Sequence, residues 1–191
     1  MVDEPSRSFK VVLSMQREGN NHGDVHYKVD GARFGTESTI KLNVETSYTL
    51  TLCFRPAQTL ESISLMGSRY SPKEKSRDHS SSTYCITWSS LGVGVTKNGK
   101  RDKIPLALQI LDVGELMVNL QVKFYKEKDT DHATWGNALH QIDLDCETAI
   151  PKSTSPCNQD NKRVHHDKTS SPYGSSDGNA MAPTACNYLR K

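Results

Sequence analysis

Apolar side chains recur at every second position along most of this chain, and that period decides what kind of element it can build. Phe9, Val11, Leu13 and Met15 alternate with Lys10, Ser14 and Gln16. Val25, Tyr27 and Val29 follow, then Ile40, Leu42 and Val44, then Tyr48, Leu50, Leu52 and Phe54 until Pro56 stops the ladder. Ile63 and Leu65 mark a short segment. The pattern returns at Tyr84, Ile86 and Trp88, from Ile104 to Ile110, from Leu116 to Phe124, and around Ile142, Leu144 and Cys146. Residues two apart share one face of a strand, whereas a helix needs a 3.6-residue spacing that no segment offers. About nine strands of this kind, separated by Gly, Pro, Asn and Asp, predict an all-β fold. One apolar face per strand requires a second sheet to cover it, so the expected architecture is an antiparallel, immunoglobulin-like β-sandwich.

Local signals refine this outline. Asp30-Gly31 reads as a tight hairpin turn, because Asp-Gly adopts positive φ at low cost. Lys97-Asn98-Gly99-Lys100 reads as a second turn. The polar stretch from Gly67 to Ser82, interrupted by Pro72, predicts a long mobile loop.

The alternation ends near Ile150, and composition changes with it. Only 35% of the chain is hydrophobic, and the deficit lies after that point. Residues 151–191 hold four prolines and nine Ser or Thr, with Val164, Tyr173, Met181, Tyr188 and Leu189 as their only large apolar residues. Such a segment cannot bury enough surface to offset an ordering cost of roughly 1–2 kcal/mol per residue. The organisation expected is a sandwich domain over 1–150 and a disordered, polar, weakly basic tail over 151–191. Six basic against three acidic residues in the tail account for the basic pI of 8.2, since the first 150 residues are close to neutral. No nucleic-acid face is implied.

Other classes are excluded on the same footing. No run of 18 apolar residues exists, so no stable membrane insertion is expected. The start, Met1-Val2-Asp3-Glu4-Pro5, lacks the basic and apolar regions of a secretory signal. Five scattered cysteines, three of them (Cys53, Cys85, Cys146) within strand patterns, read as reduced cytosolic thiols rather than a disulfide frame. There is no phosphate-binding Gly-rich loop, no His-Glu-x-x-His and no Cys-x-x-Cys. His165-His166 falls in the tail without a second ligand pair. The reading is a protein that is not an enzyme and needs neither cofactor nor metal.

What stands out instead is aromatic and cationic content beside polar loops. Tyr27, Lys28 and Phe34 flank the first hairpin, Lys123, Phe124 and Tyr125 end the longest alternating strand, and Trp135-Gly136 follows soon after. Phe124 and Trp135 can be core anchors, or they can line a pocket or partner groove at one end of the sandwich. Aromatic residues with polar tips anchor such contacts. Tyr27, Lys28, Phe34, Lys123, Tyr125 and Trp135 are therefore the candidate partner-binding residues.

The same residues carry a resemblance. Tyr27-Lys28-Val29-Asp30-Gly31, Arg33-Phe34-Gly35, Thr39-Ile40-Lys41-Leu42 and Gln121-Val122-Lys123-Phe124-Tyr125 are similar to the cannabinoid receptor interacting protein family. Thr96-Lys97, Gly99, Asp131-His132 and Trp135-Gly136 fit it in the same order, over roughly Val25 to Glu147, with poor agreement between Met66 and Thr83. The resemblance implies a cytoplasmic adaptor, recruited to the plasma membrane through its partners. It would bind the intracellular C-terminal tail of a cannabinoid-type G-protein-coupled receptor and damp its signalling. The family is also similar in architecture to the Rho GDP-dissociation inhibitors, which hold a prenyl chain between their sheets. That implies an alternative: a chaperone that sequesters the acyl or prenyl chain of a lipidated G protein or small GTPase. A deep apolar tunnel between the sheets would favour the lipid; a filled core would favour the peptide.

Overall fold

The computed structural model describes residues 6–19, 23–30, 38–149 and 185–188. Each alternating segment forms a strand: β1 (Ser6–Arg17), β2 (His26–Val29), β3 (Ser38–Asn43), β4 (Ser47–Arg55) and β5 (Leu60–Leu65). After β6 (Ser68–Tyr70) and β7 (Lys73–Arg77) come β8 (Ser82–Ser89), β9 (Asp102–Ile110) and β10 (Gly114–Tyr125). The five-residue helix α1 (Thr130–Thr134), β11 (Asn137–Ala138), β12 (Ile142–Ala149) and β13 (Ala185–Tyr188) complete the order. One sheet runs β13-β12-β1-β4-β8-β7 and the other β11-β2-β3-β10-β9-β5-β6. This is the all-β sandwich that the alternation predicts.

Register follows the pattern. In β1 and β4, Val11 lies opposite Phe54 and Leu13 opposite Leu52, so both strands turn the same apolar set inward. Tyr48, Phe54 and Phe124 are the bulkiest side chains fully buried between the sheets. Trp88 stacks on Tyr48 at 5.7 Å and tilts against Phe124 at 6.4 Å, while Phe54 meets Tyr84 edge-on at 6.0 Å. With Leu13, Leu42, Leu50, Ile104, Leu106 and Leu116 around them, these rings fill the space between the sheets.

Four details differ from the sequence reading. Val29 pairs with Ser38, which makes the β2–β3 connection eight residues long rather than a turn at Asp30-Gly31. Asp30 is instead buried and bonded to side chains from other elements. Residues Gly67 to Ser82 are not a loop. Met66 and Gly67, both at positive φ (52° and 81°), form a two-residue turn into β6, and β7 then pairs with β8. Pairing is not wholly antiparallel, since β3 and β10 run parallel. Within the tail, Ala185–Tyr188 pairs with β12 as an edge strand, where no structure was expected; the rest of 151–191 lies outside the described residues, as does Phe34.

Among the described residues no helix is long and apolar enough to cross a membrane. No cluster of three or more His, Cys, Asp or Glu suited to a metal ion occurs among them.

Candidate functional site

β3 is buried on both faces. Ile40 and Leu42 point into the core, while Thr39, Lys41 and Asn43 point outward yet are also buried. The cover on that outer face is the chain from Lys126 to Ala138. Asn43 fastens its beginning, donating from Nδ2 to the carbonyls of Lys126 (2.8 Å) and Asp129 (3.1 Å). Asp129 then caps α1 by accepting from the His132 backbone N–H at 3.1 Å. Lys41 fastens the end: its ammonium donates to the carbonyl of His132 at 2.7 Å and to that of Trp135. These carbonyls lie in and just past the last turn of α1, where a cation is favoured.

Gly136 completes the crossing. Its φ is +128°, and a Cβ there would lie 2.5 Å from the carbonyl oxygen of Tyr27. Only glycine lets the chain pass this close over β2, which accounts for the Trp-Gly pair seen in the sequence. The passage leaves the Trp135 ring 63% exposed, with the Lys41 and Lys28 ammoniums 4.9 and 5.1 Å from its centroid. Tyr125 forms the opposite wall, stacked on His132 at 6.3 Å, with Lys123 and Lys41 at 5.0 and 5.7 Å.

Between these walls lies a cavity of about 370 Å³, lined by Lys28, Thr39, Lys41, Arg101, Lys123, Tyr125, Asp131, His132 and Trp135. Its floor is a buried polar network. The Asp30 carboxylate accepts from Arg101 Nη2 (2.7 Å) and Nε (3.1 Å), from Gln121 Nε2 (3.1 Å) and from the Thr39 hydroxyl. Burial alone would raise the Asp30 pKa. Hydrogen bonds from Arg101 and Thr39, with the Arg101 and Lys28 charges, hold it below the usual carboxylate value instead. Arg101 reaches this floor because Thr96 ties the β8–β9 connection to the end of β10, exchanging hydrogen bonds with the Phe124 backbone at 2.8 and 3.1 Å. The Lys41 pKa is lowered, first by burial and then by the charges of Lys28, Lys123 and Arg101.

Of the residues expected from sequence, Lys28, Lys123, Tyr125 and Trp135 converge on this cavity. Tyr27 does not line it; it pairs with Ile40, a core-facing position, and its backbone passes under Gly136. Phe34 lies outside the described residues. Of the two readings of the aromatics, Phe124 is a core anchor at 1% exposure and Trp135 is a rim residue. Sequence reasoning missed Thr39, Lys41, Arg101, Asp131 and His132. The alternate polar positions of β3 carried a usable signal for Thr39 and Lys41. Arg101 carried none, because only the tertiary course of the β8–β9 connection brings it here.

A family model described as CB1 cannabinoid receptor-interacting protein 1 matches residues 5–160. The proteins of that name from Bos taurus and Homo sapiens are each 36% identical to this chain over 129 residues, covering 66% of it and 79% of their own length. That of Mus musculus is 35% identical over the same span. The motifs that build the cavity, from Tyr27-Lys28 to Trp135-Gly136, and the sandwich that carries them belong together: this chain is a member of the CB1 cannabinoid receptor-interacting protein 1 family.

Proposed function

We propose that this chain is a non-enzymatic adaptor that binds the intracellular C-terminal tail of a cannabinoid-type G-protein-coupled receptor and damps its signalling. The names of its relatives support a receptor partner. The observation that carries the reading is the outer-face cavity, where Lys28, Lys123, Tyr125 and the exposed Trp135 come together from three parts of the chain. Exposed aromatics beside long cations are what an interface uses as anchors. The lipid alternative draws no support from the described core, whose space between the sheets is filled by Tyr48, Phe54, Phe124 and their neighbours.

Calorimetric titration of the full chain with a receptor C-terminal tail peptide, and with the same peptide carrying a prenyl group, tests both. Saturable binding of the plain peptide is expected, weakened about thirtyfold by Trp135→Ala if this ring supplies the ~2 kcal/mol of a hot spot. Binding that needs the prenyl group, or that ignores Trp135→Ala, would remove the basis for this reading. Basal G-protein activation should fall when the chain is added to receptor membranes and stay unchanged with the variant.

A further inference from the structure

The cavity holds more positive charge than its own carboxylates balance. Lys28, Lys41, Lys123 and Arg101 line it, with Asp131 as the one lining carboxylate among the described residues. Arg101 is accounted for by Asp30 beneath it. Lys41 is 6% exposed and held in place by two carbonyls, so it cannot swing into solvent to escape its neighbours. Neither Lys28 nor Lys123 is in an ion pair with a described carboxylate, and each ammonium lies over an aromatic ring of the cavity wall. Burial first, and then this crowding, depresses the Lys41 pKa. Like charges held together this closely cost free energy that a bound anion would return.

Size and shape narrow the anion. A single carboxylate matches neither the charge nor the space. A phosphate monoester carries about −1.5 to −2 at neutral pH and three acceptor oxygens; one balances the net charge of the three ammoniums and Asp131, and a second on the same compact frame gives Lys28 and Lys123, over opposite walls, a phosphate each. A volume of about 370 Å³ accommodates a six-membered ring with such groups, at the small end of ligand pockets. The Tyr125 and Trp135 faces offer flat walls for the ring's C–H surface. Charge gathered into one bowl, rather than along a track, disfavours a nucleic-acid backbone.

We propose that this cavity binds a compact polyphosphorylated ring of the inositol-phosphate class, either free or as the headgroup of a membrane phosphoinositide. The probes contain no receptor sequence, so this proposal and the receptor reading fail separately.

Trp135 is its own reporter, since the other tryptophan, Trp88, is buried in the core. The full chain is titrated with inositol trisphosphate and inositol hexakisphosphate, with inorganic phosphate, sulfate and a phosphoserine peptide as comparisons, following tryptophan fluorescence and heat. Saturable binding is expected, weakened about tenfold by each of Lys28→Gln and Lys123→Gln. Lys28 is exposed and Lys123 half-buried, and unchanged melting temperatures check that the variants fold. Co-sedimentation with vesicles carrying phosphatidylinositol bisphosphate, against phosphatidylserine vesicles of equal charge, separates the sources. Preference for the former assigns the headgroup, and binding of the free compounds alone assigns the soluble ligand. The proposal is overturned if no saturable binding occurs, if the lysine variants bind unchanged, if sulfate of equal ionic strength competes fully, or if the phosphoserine peptide binds more tightly than either inositol phosphate.

Discussion

Phe124 and Trp135 lie close together in the chain and do opposite work. Phe124 closes the inward face of β10 against Trp88, at 1% exposure, whereas the Trp135 ring stands at the mouth of the cavity over two lysine ammoniums. Truncation should separate them. Phe124→Ala removes a ring from a filled core and is expected to cost ~3–5 kcal/mol. Trp135→Ala should cost under about 1 kcal/mol, because its exposed ring leaves no cavity behind, although two cation–π contacts are lost. Paired urea melts measure both. Equal losses would mean that Trp135 holds the covering segment down as a structural wedge rather than standing ready for a partner. The sequence marks Phe124 as core through the alternating run that it ends, but Trp135 sits in no such run, so its exposure was not legible. Lys41 shows the complementary limit. A lysine between Ile40 and Leu42 reads as the wet side of a strand, and its burial became visible only when a distant segment, 126–138, was found folded over it.

At the scale of elements, all nine strands anticipated from alternation are present, and the four that were not are β6, β7, β11 and β13. These four are the outer strands of the two sheets. The physical reason is shared. Alternation is written by a face that must be buried, and an edge strand can be short, polar or fully exposed and still pair. β7, Lys-Glu-Lys-Ser-Arg, is exposed throughout, and its charges discourage further pairing by another chain. β13 has a different consequence, because it covers the outer edge of β12 with residues that follow a long proline- and serine-rich stretch. Ending the chain at Ile150 should leave the core intact and lower the melting temperature by no more than about 4 °C, equivalent to ~1 kcal/mol for a chain of this size. It should also bare the β12 edge, so the shortened chain is expected to self-associate at high concentration where the full chain does not. Calorimetry and light scattering read the two effects. A loss far above that, or a shortened chain that stays monomeric, would show that β13 does something other than cap an edge.

Over the whole molecule, the network under the cavity ties three neighbouring strands of the second sheet, β2, β3 and β10, to the β8–β9 connection. Asp30 follows β2, Thr39 begins β3, Gln121 lies in β10, and Arg101 arrives on the β8–β9 connection. The folded-state pKa of Asp30 is lowered. A carboxyl depressed on folding adds stability that is present above its unfolded value, ~3.9, and is lost as pH falls through the lower folded value. Asp78 behaves alike, held at about 2 by hydrogen bonds from Ser80 and Ser81, but it is exposed and its contribution is screened. Asp30→Asn keeps the shape and removes the carboxylate charge that pairs with the largely buried Arg101 guanidinium. Breaking such a pair costs ~3 kcal/mol or more, so the variant should melt at least about 6 °C lower at pH 7. The gap should narrow as pH falls below about 4 and close only below the lowered folded value, where the wild-type carboxyl takes up its proton as well. Thermal melts of both proteins from pH 7 to pH 2 decide it. A gap that persists unchanged at pH 2 would assign the loss to altered hydrogen-bond geometry rather than to charge. No gap at pH 7 would mean that Arg101 finds another partner and that the cavity floor does not depend on Asp30.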